Sequence, residues 1–438
     1  VSTPAFIASA LGHVRTPVYR NAYALMVSNG LTSGLGLIYW SVAARAYPTE
    51  VMGASSAAIS MMLFLSGAAQ LNLRPALMRL LPESGDRAMW LVRRAYLLAI
   101  VVSSLTALLV FGGGALTGAP WSAIAELSSP AGVLLMVVGT LCWSIFNLQD
   151  GVLTGLRRTG WVPVENGIYA ATKIVLLVAC VVLLPATGIV VSWIVPSIVI
   201  VGVVSVVLLR RWLPAYMSLH GDRRPVVDRR TLMTFVAADS VGALFALGAT
   251  TLLPVLVVGA VGPTTGAYFA ITWTIITALM LAPVNMAASL TVESIHTQAV
   301  LGPQLRRLAG HLYRMLIPLV VGVIVLAEWV LHIFGEAYSE NATVALRIGA
   351  LGLLPFAANT LFLATARIRA RSRSILMVQA ATALLTLALS GALLGPMGIT
   401  GVTLAWLIAQ TLVAAVVIPT QLLPLVRGRE ARPGQSAE

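Results

Sequence analysis

Charge is scarce in this chain: 10% of its 438 residues are Asp, Glu, Lys or Arg, against roughly 25% in a soluble domain. No polar stretch exceeds about 20 residues, which excludes a water-soluble domain of ordinary size between the apolar runs. Lysine is scarcer still: Lys173 is the only one, and the remaining 27 of the 28 basic residues are arginine. The two cysteines, Cys142 and Cys180, both lie inside apolar runs, so neither a disulfide framework nor a cysteine metal site is expected. The five histidines, His13, His220, His296, His311 and His332, are scattered. No Walker A sequence, His-Glu-x-x-His or other metal spacing occurs, so neither an enzyme nor a cofactor site is expected.

What the chain has in abundance is apolar sequence: 58% of its residues are hydrophobic and the mean hydropathy is +0.92. It reads as an all-α integral membrane protein. Windows of about 20 apolar residues, the length that crosses a hydrocarbon core of roughly 30 Å, number twelve. They run near 22–44, 54–77, 91–112, 131–156, 164–184, 189–209, 231–258, 264–292, 312–334, 342–366, 374–394 and 399–424. The first is long enough to span and reads as a retained helix, not a cleaved leader.

Alternate connections sort by charge. One side holds 25 of the 28 basic residues, among them Arg74, Arg157, Arg158, Arg210, Arg211 and the run Arg367 to Arg373; the other has only Arg45 and Arg347, with Glu50, Glu126, Glu336 and Glu340. By the positive-inside rule both termini are cytoplasmic in a multi-pass protein of the bacterial plasma membrane. The net charge of +13 then needs no nucleic-acid partner, because topology and anionic inner-leaflet lipid account for it.

The second half repeats the first. Gly53-Ala54 aligns with Gly266-Ala267 at an offset of 213, and at 210 Ala170-Ala171-Thr172 aligns with Ala380-Ala381-Thr382, Arg157 with Arg367, and Gly188-Ile189 with Gly398-Ile399. Six spans per half is an even number, so the repeats enter the membrane in the same orientation. The expected organisation is an N-lobe (1–212), a basic cytoplasmic linker (213–230) and a C-lobe ending in a short cytoplasmic tail (231–438). Two parallel six-helix lobes suit a transporter better than a channel.

Charges inside spans are costly and rank above loop arginines as functional candidates. Asp150 lies roughly 10 Å, and Lys173 roughly 13 Å, from the cytoplasmic ends of consecutive helices at 1.5 Å per residue. On that reckoning the two meet, either as an ion pair that locks a hairpin or as a coupling and substrate-gating device. Asp239 reaches a similar depth in the other half. Glu165, Tyr169 and Lys173, spaced four apart, form a polar stripe on one helix face. Arg74, Lys173, Asn29, Asn72 and Asn285 are candidates to line a cavity or its entrance and hold an anion. Gly30-xxx-Gly34 and Gly262-xxx-Gly266 read as close helix approaches.

The stretches YWSVAARAYPTEVMGASSAAIS (Tyr39 to Ser60), LNLRPALMRLLPE (Leu71 to Glu83) and DGVLTGLRRTGWVPVEN, with Lys173 following, resemble polysaccharide flippases of the multidrug/oligosaccharidyl-lipid/polysaccharide (MOP) exporter superfamily. The likeness is to actinobacterial Wzx-like lipopolysaccharide biosynthesis proteins in particular, and in architecture it covers the whole chain. It implies a MATE-like fold and outward movement of a polyprenyl-linked glycan among membrane lipids. It also implies a polysaccharide polymerase or glycosyltransferases as candidate partners, and coupling to membrane potential, H+ or Na+ in place of a cofactor. Alternatives are a cation-coupled multidrug exporter on the same fold and a scaffold for a polysaccharide synthase complex.

Overall fold

The computed structural model describes residues 34–70, 73–220, 229–294, 301–369 and 371–427. All regular structure among them is helical, and ten helices are long and apolar enough to cross a membrane. In chain order the long helices are α1 (34–46), α2 (Thr49–Ala69), α3 (Ala88–Ala107), α4 (Pro130–Gly155), α5 (Trp161–Leu183), α6 (Gly188–Val207), α7 (Arg229–Val261), α8 (Pro263–Ser294), α9 (Leu301–His332) and α10 (Glu336–Ile368). The final Ser372–Val417 segment divides at Gly398, whose φ of 58° and ψ of −144° break the helix, into α11 (372–397) and α12 (399–417). Arg371 donates to Gln421 Oε1 at 3.0 Å; a contact across fifty residues requires α11 and α12 to fold back as a hairpin. With that break, and with α1 beginning where the description begins, the helices fall on all twelve predicted spans.

Local chemistry explains the boundaries. Ser129 caps α4 by accepting from Gly132 N at 3.1 Å, with Pro130 in the first turn, where its missing N–H is harmless. Gly262 turns the chain between α7 and α8 with φ 89°, a conformation that suits glycine. Gly262 is thus a turn residue, and the close approach belongs to Gly266, where a Cβ would collide with Val258. Gly34 has no neighbour within 4 Å of its Cβ position among the described residues, so none of the described helices approaches it, and Gly30 lies outside the described residues. Inside α7, Pro254 deprives Thr250 O of its helical donor, and the Trp273 indole N–H supplies one at 2.7 Å.

The repeat is visible in the backbone. A π turn follows α6 at Leu208–Trp212 and another follows α12 at Ile418–Leu422, 210 residues on. Gln149 Nε2 donates to Val201 O at 3.1 Å, and Asn359 Nδ2 donates to Gln410 O at 3.0 Å, at positions 210 and 209 residues later. The halves meet through α2, which packs on α7 and α8. At the rim that the arginine pattern assigns to the outside, a Cβ on Gly53 would collide with the Pro263 carbonyl. There too Arg45 of α1 donates to Ile333 O at 2.7 Å and to His332 O at 3.0 Å, satisfying carbonyls that the end of α9 leaves open.

Candidate functional site

The buried face of α5 carries Glu165, Tyr169, Ala170, Lys173, Leu177 and Cys180, so the stripe spaced by four points inward. At its deep end Lys173, 6% exposed, puts its ammonium over three rings. Nζ lies 3.9 Å from the centroid of Trp193, 4.6 Å from Tyr39 and 5.3 Å from Tyr169. These rings come from α6, α1 and α5. Hydrogen bonds hold two of them: Tyr39 donates to Ile189 O at 2.9 Å, and Tyr169 to Trp193 O at 3.1 Å. Trp40 and Trp143 pack on Trp193 at 5.7 and 6.0 Å and close the cluster.

An ammonium in this position is desolvated and faces ring quadrupoles in place of a carboxylate, each contact contributing about 0.5–2 kcal/mol. The cage also accounts for the single lysine: a compact ammonium fits between three faces, whereas a planar guanidinium would need a slot and a fork of acceptors.

The expected contact between Asp150 and Lys173 is not made. Helix α5 starts at Trp161 and α4 ends at Gly155, so at 1.5 Å per residue Lys173 stands roughly 18 Å along its helix and Asp150 only about 8 Å from the same side. The lysine is out of reach by depth. Asp150 pairs with Arg74 instead, Oδ2 to Nη2 at 3.4 Å. Arg74 sits on the short helix Leu73–Leu80, which lies on a glycine face of α4: a Cβ on Gly151 would stand 3.0 Å from Arg74 O, and one on Gly155 3.1 Å from Leu77 O. The Gly151-xxx-Gly155 spacing therefore docks the arginine over the aspartate. Asp150 is 9% exposed while Arg74 is 46% exposed, so one partner is fixed in the helix wall and the other reaches out of it.

Glu165 lies between these two features. It is 5% exposed, and neither carboxylate oxygen has a hydrogen-bond partner among the described residues. A buried carboxylate without donors is a place for a proton or a small cation. Asn285 sits part-buried on α8. Asn29 and Asn72 lie outside the described residues, as does the side chain of Asp239. The structure thus joins Arg74 to Asp150, sets Glu165 on the Lys173 face, and gives Lys173 the ring of Tyr169 from the predicted stripe together with two rings that the sequence had not singled out. Tyr39 and Trp193 carry no local signal, because they reach the lysine from other helices, α1 and α6.

The sequence model described as polysaccharide biosynthesis protein matches residues 18–290. No curated protein sequence matches the chain. Among solved structures, an inward-facing multidrug resistance MATE family transporter of the MOP superfamily is similar at 14% identity and a TM-score of 0.71, covering 92% of this chain and 96% of that one. MATE in a bent conformation is similar at 13% identity and TM-score 0.65, with 95% and 98% covered. The lipid II flippase MurJ, in an inward closed conformation, is similar at 11% identity and TM-score 0.63, with 92% and 90% covered. At these identities the structures speak for the fold, which is the two-bundle helical fold of MOP transporters. The family match spans more than half of the sequence, and this multi-pass membrane chain accordingly belongs to the polysaccharide biosynthesis protein family.

Proposed function

We propose that the chain is a flippase that moves a polyprenyl-diphosphate-linked oligosaccharide, or a related glycolipid, from the inner to the outer leaflet of a bacterial plasma membrane. In this reading both termini are cytoplasmic, and residues 1–212 and 231–438 are lobes that rock about a shared cavity, joined by the linker 213–230. Family membership supports the class of function. The observation that carries the substrate reading is Arg74. Its contact with Asp150 engages Nη2, and its half-exposed guanidinium offers further donors to a diphosphate at the entrance. Asn29, Asn72 and Asn285 belong to the same proposed entrance or cavity.

Glu165 is the proposed coupling site for H+ or Na+, with Asp150 and Asp239 as the other intramembrane acids. The Lys173 cage is proposed as the rigid part against which the lobe turns. The membrane potential favours the outward direction, since moving two negative charges out of a negative cytoplasm across 100 mV releases roughly 4–5 kcal/mol. Polymerase or glycosyltransferase partners would supply and consume the lipid-linked glycan.

The test is movement of a fluorescent polyprenyl-diphosphate sugar across proteoliposomes at an imposed potential. Potential-sensitive movement by the wild type, lost in Arg74→Ala at matched protein level and at a temperature where the variant is still folded, is the expected result. Absence of movement by correctly folded wild-type protein rejects the flippase. Equal movement by wild type and Arg74→Ala rejects the arginine as the headgroup contact.

A further inference from the structure

The repeat offset of 210 pairs Lys173 with Ala383, Asp150 with Thr360, Arg157 with Arg367, Trp161 with Arg371 and Trp212 with Leu422. The recurring hydrogen bond of Gln149 and Asn359 fixes this register in three dimensions. Two places then differ between the halves. Deep inside, the ammonium and its rings fill the first half, whereas Ala383 and Thr360 of the second line a mostly apolar cavity of about 330 Å³ with Arg367 on its wall. Nothing on that wall selects a guest. The other difference lies where the fifth helix of each half begins beside the π turn of the sixth. In the second half Arg371 donates to Gln421 there. In the first, Trp161 packs on Trp212 at 5.3 Å, and beside these rings is a recess of about 190 Å³ whose wall includes Arg157, Arg158, Trp212, Tyr216 and Leu219.

The recess has a fixed frame. Arg158 Cζ lies 4.9 Å from the centroid of Trp212. Tyr216 donates to Pro82 O at 3.0 Å, which ties the short helix Leu213–His220 to the turn Leu81–Glu83. Arg157 is the one non-glycine residue with a left-handed backbone among those described, at φ 59°. Its N–H donates to Thr154 O at 3.0 Å and that of Arg158 to Leu153 O at 2.8 Å, the paired bonds that end a helix around a residue which is usually glycine. A side chain there costs stability that glycine would recover, so the strain points to a side chain in use. Both arginines are exposed. Neither has a carboxylate within ion-pair reach among the described residues, and no carboxylate belongs to the described wall of the recess.

Two guanidiniums without counter-ions in a walled recess suit a phosphate, which arginine binds through paired N–H donors. What adjoins the recess identifies the source of that phosphate. Trp161 begins α5, and beyond it Val164, Ile168, Val175 and Val182, 46–85% exposed, run along a face of the helix turned away from Lys173. An exposed apolar stripe on a membrane span meets lipid tails, and tryptophans suit the headgroup level at its end. A soluble phosphate would engage the arginines and leave the stripe idle, whereas a phospholipid engages both.

We propose that the recess holds the phosphate headgroup of an anionic phospholipid whose acyl chains lie along Val164, Ile168 and Val175 of α5. Basic pockets at the cytoplasmic ends of spans recognise such headgroups, and on the orientation proposed above the lipid belongs to the inner leaflet. Bound there, it clamps the turn between α4 and α5 to the end of α6. The site is independent of what the protein transports.

The test is native mass spectrometry of the full chain released from micelles that contain phosphatidylglycerol and phosphatidylcholine in equal amounts. Wild type is expected to retain one phosphatidylglycerol in preference to phosphatidylcholine, and an excess of glycerol phosphate should not displace it. Arg157→Gln combined with Arg158→Gln should weaken retention about tenfold or more. Arg93→Gln combined with Arg94→Gln removes the same charge from another recess, one that contains Asp86, and should leave retention as in wild type. Arg157→Gly relaxes the turn, so it should hold or raise Tm while weakening the lipid about threefold to tenfold.

Equal losses in the two double variants make retention a general effect of surface charge and overturn the site. So do unchanged retention in the Arg157→Gln, Arg158→Gln variant and a wild type without preference for the anionic lipid. Arg157→Gly that keeps the lipid at wild-type strength removes Arg157 from the site. Displacement by glycerol phosphate replaces the lipid with a soluble phosphate ligand, and displacement by an equal amount of undecaprenyl diphosphate assigns the recess to cargo; either result overturns the resident phospholipid.

Discussion

The two halves share a frame and differ in what fills it. Gln149 and Asn359 make the same hydrogen bond to the sixth helix of their half, and both sixth helices run into a π turn at the same register. Inside that frame the first half sets an ammonium among Tyr39, Tyr169 and Trp193, and the second sets alanine and amides around open space. Backbone geometry after duplication is held by hydrogen bonds that few side chains can replace. The interior is free to diverge wherever one position controls the volume, and position 173/383 is such a point. If the lobes rock as proposed, a filled half would turn as a solid body, while the open half keeps a cavity.

The comparison breaks most severely if the lysine can be moved. Ala383→Lys would put an ammonium into the second half with no ring cage and with Arg367 on the same wall. An uncompensated buried charge destabilises by about 3–5 kcal/mol, so the yield of monodisperse protein in detergent should collapse. A variant as stable as wild type would mean that the cage is not what makes an ammonium tolerable there.

Next in size is Lys173→Ala. It leaves a void among the rings, and large-to-small core changes cost about 2–5 kcal/mol, which a thermal melt would register as a lower Tm. Lys173→Met refills the shape and should cost less than about 1.5 kcal/mol. Translocation by the Met variant then sharpens the comparison: movement at the wild-type rate makes the lysine a filler of its half, and loss of movement at normal Tm assigns a role to its charge.

Much of the frame was legible in the sequence, for a physical reason. A hydrocarbon slab imposes a length on every span, so windows such as 131–156 and 189–209 land within a few residues of α4 and α6. The errors fall where a helix outruns the slab or stops short within the predicted window, as the window 54–77 runs past the end of α2 at Ala69 onto the separate helix Leu73–Leu80. Helix α9 starts at Leu301, eleven residues before the predicted span, because the polar turn holding Arg306 and Arg307 is helical without being apolar. A similar early start at Trp161 lifted Lys173 above the level of Asp150 and dissolved the expected pair. The stripe of Glu165, Tyr169 and Lys173 was legible because it lies on one helix, but the cage was not, since its rings gather from three helices. The cavity in the second half was the least visible, because its key residue is an alanine. Asn359, Gln379 and Gln410, amides inside apolar runs, were the available signal, but the amides singled out in the sequence were Asn29, Asn72 and Asn285.

A smaller effect separates the partners of the ion pair that the second half lacks, since Thr360 replaces Asp150 there. Arg74 is half exposed and Asp150 buried, so removing either one is not equivalent. Arg74→Ala leaves a carboxylate in the helix wall with its cation gone and should lower Tm clearly. Asp150→Asn leaves an arginine that can reach solvent, and should cost no more than the ~0–1 kcal/mol of an exposed pair. Equal losses in the two single variants, followed by a double-mutant cycle with no coupling, would show that the pair contributes nothing beyond packing.

The smallest effect concerns the seam between the halves. Arg45 reaches from α1 to the last carbonyls of α9, and each such bond contributes about 0.5–1.5 kcal/mol net. Because the arginine is exposed, Arg45→Ala should leave Tm almost unchanged and act on the balance between closed and open outer rims. A cysteine placed by Ala54→Cys, where the native residue is fully buried, in a Cys142→Ser, Cys180→Ser background, reports that balance. Its labelling by a membrane-impermeant maleimide should quicken about twofold to tenfold in Arg45→Ala, the population shift that one such bond commands. If the labelling rate does not change, closure is carried by the packing of Gly53 on Pro263 alone. The arginine then has no part in holding the filled half against the open one.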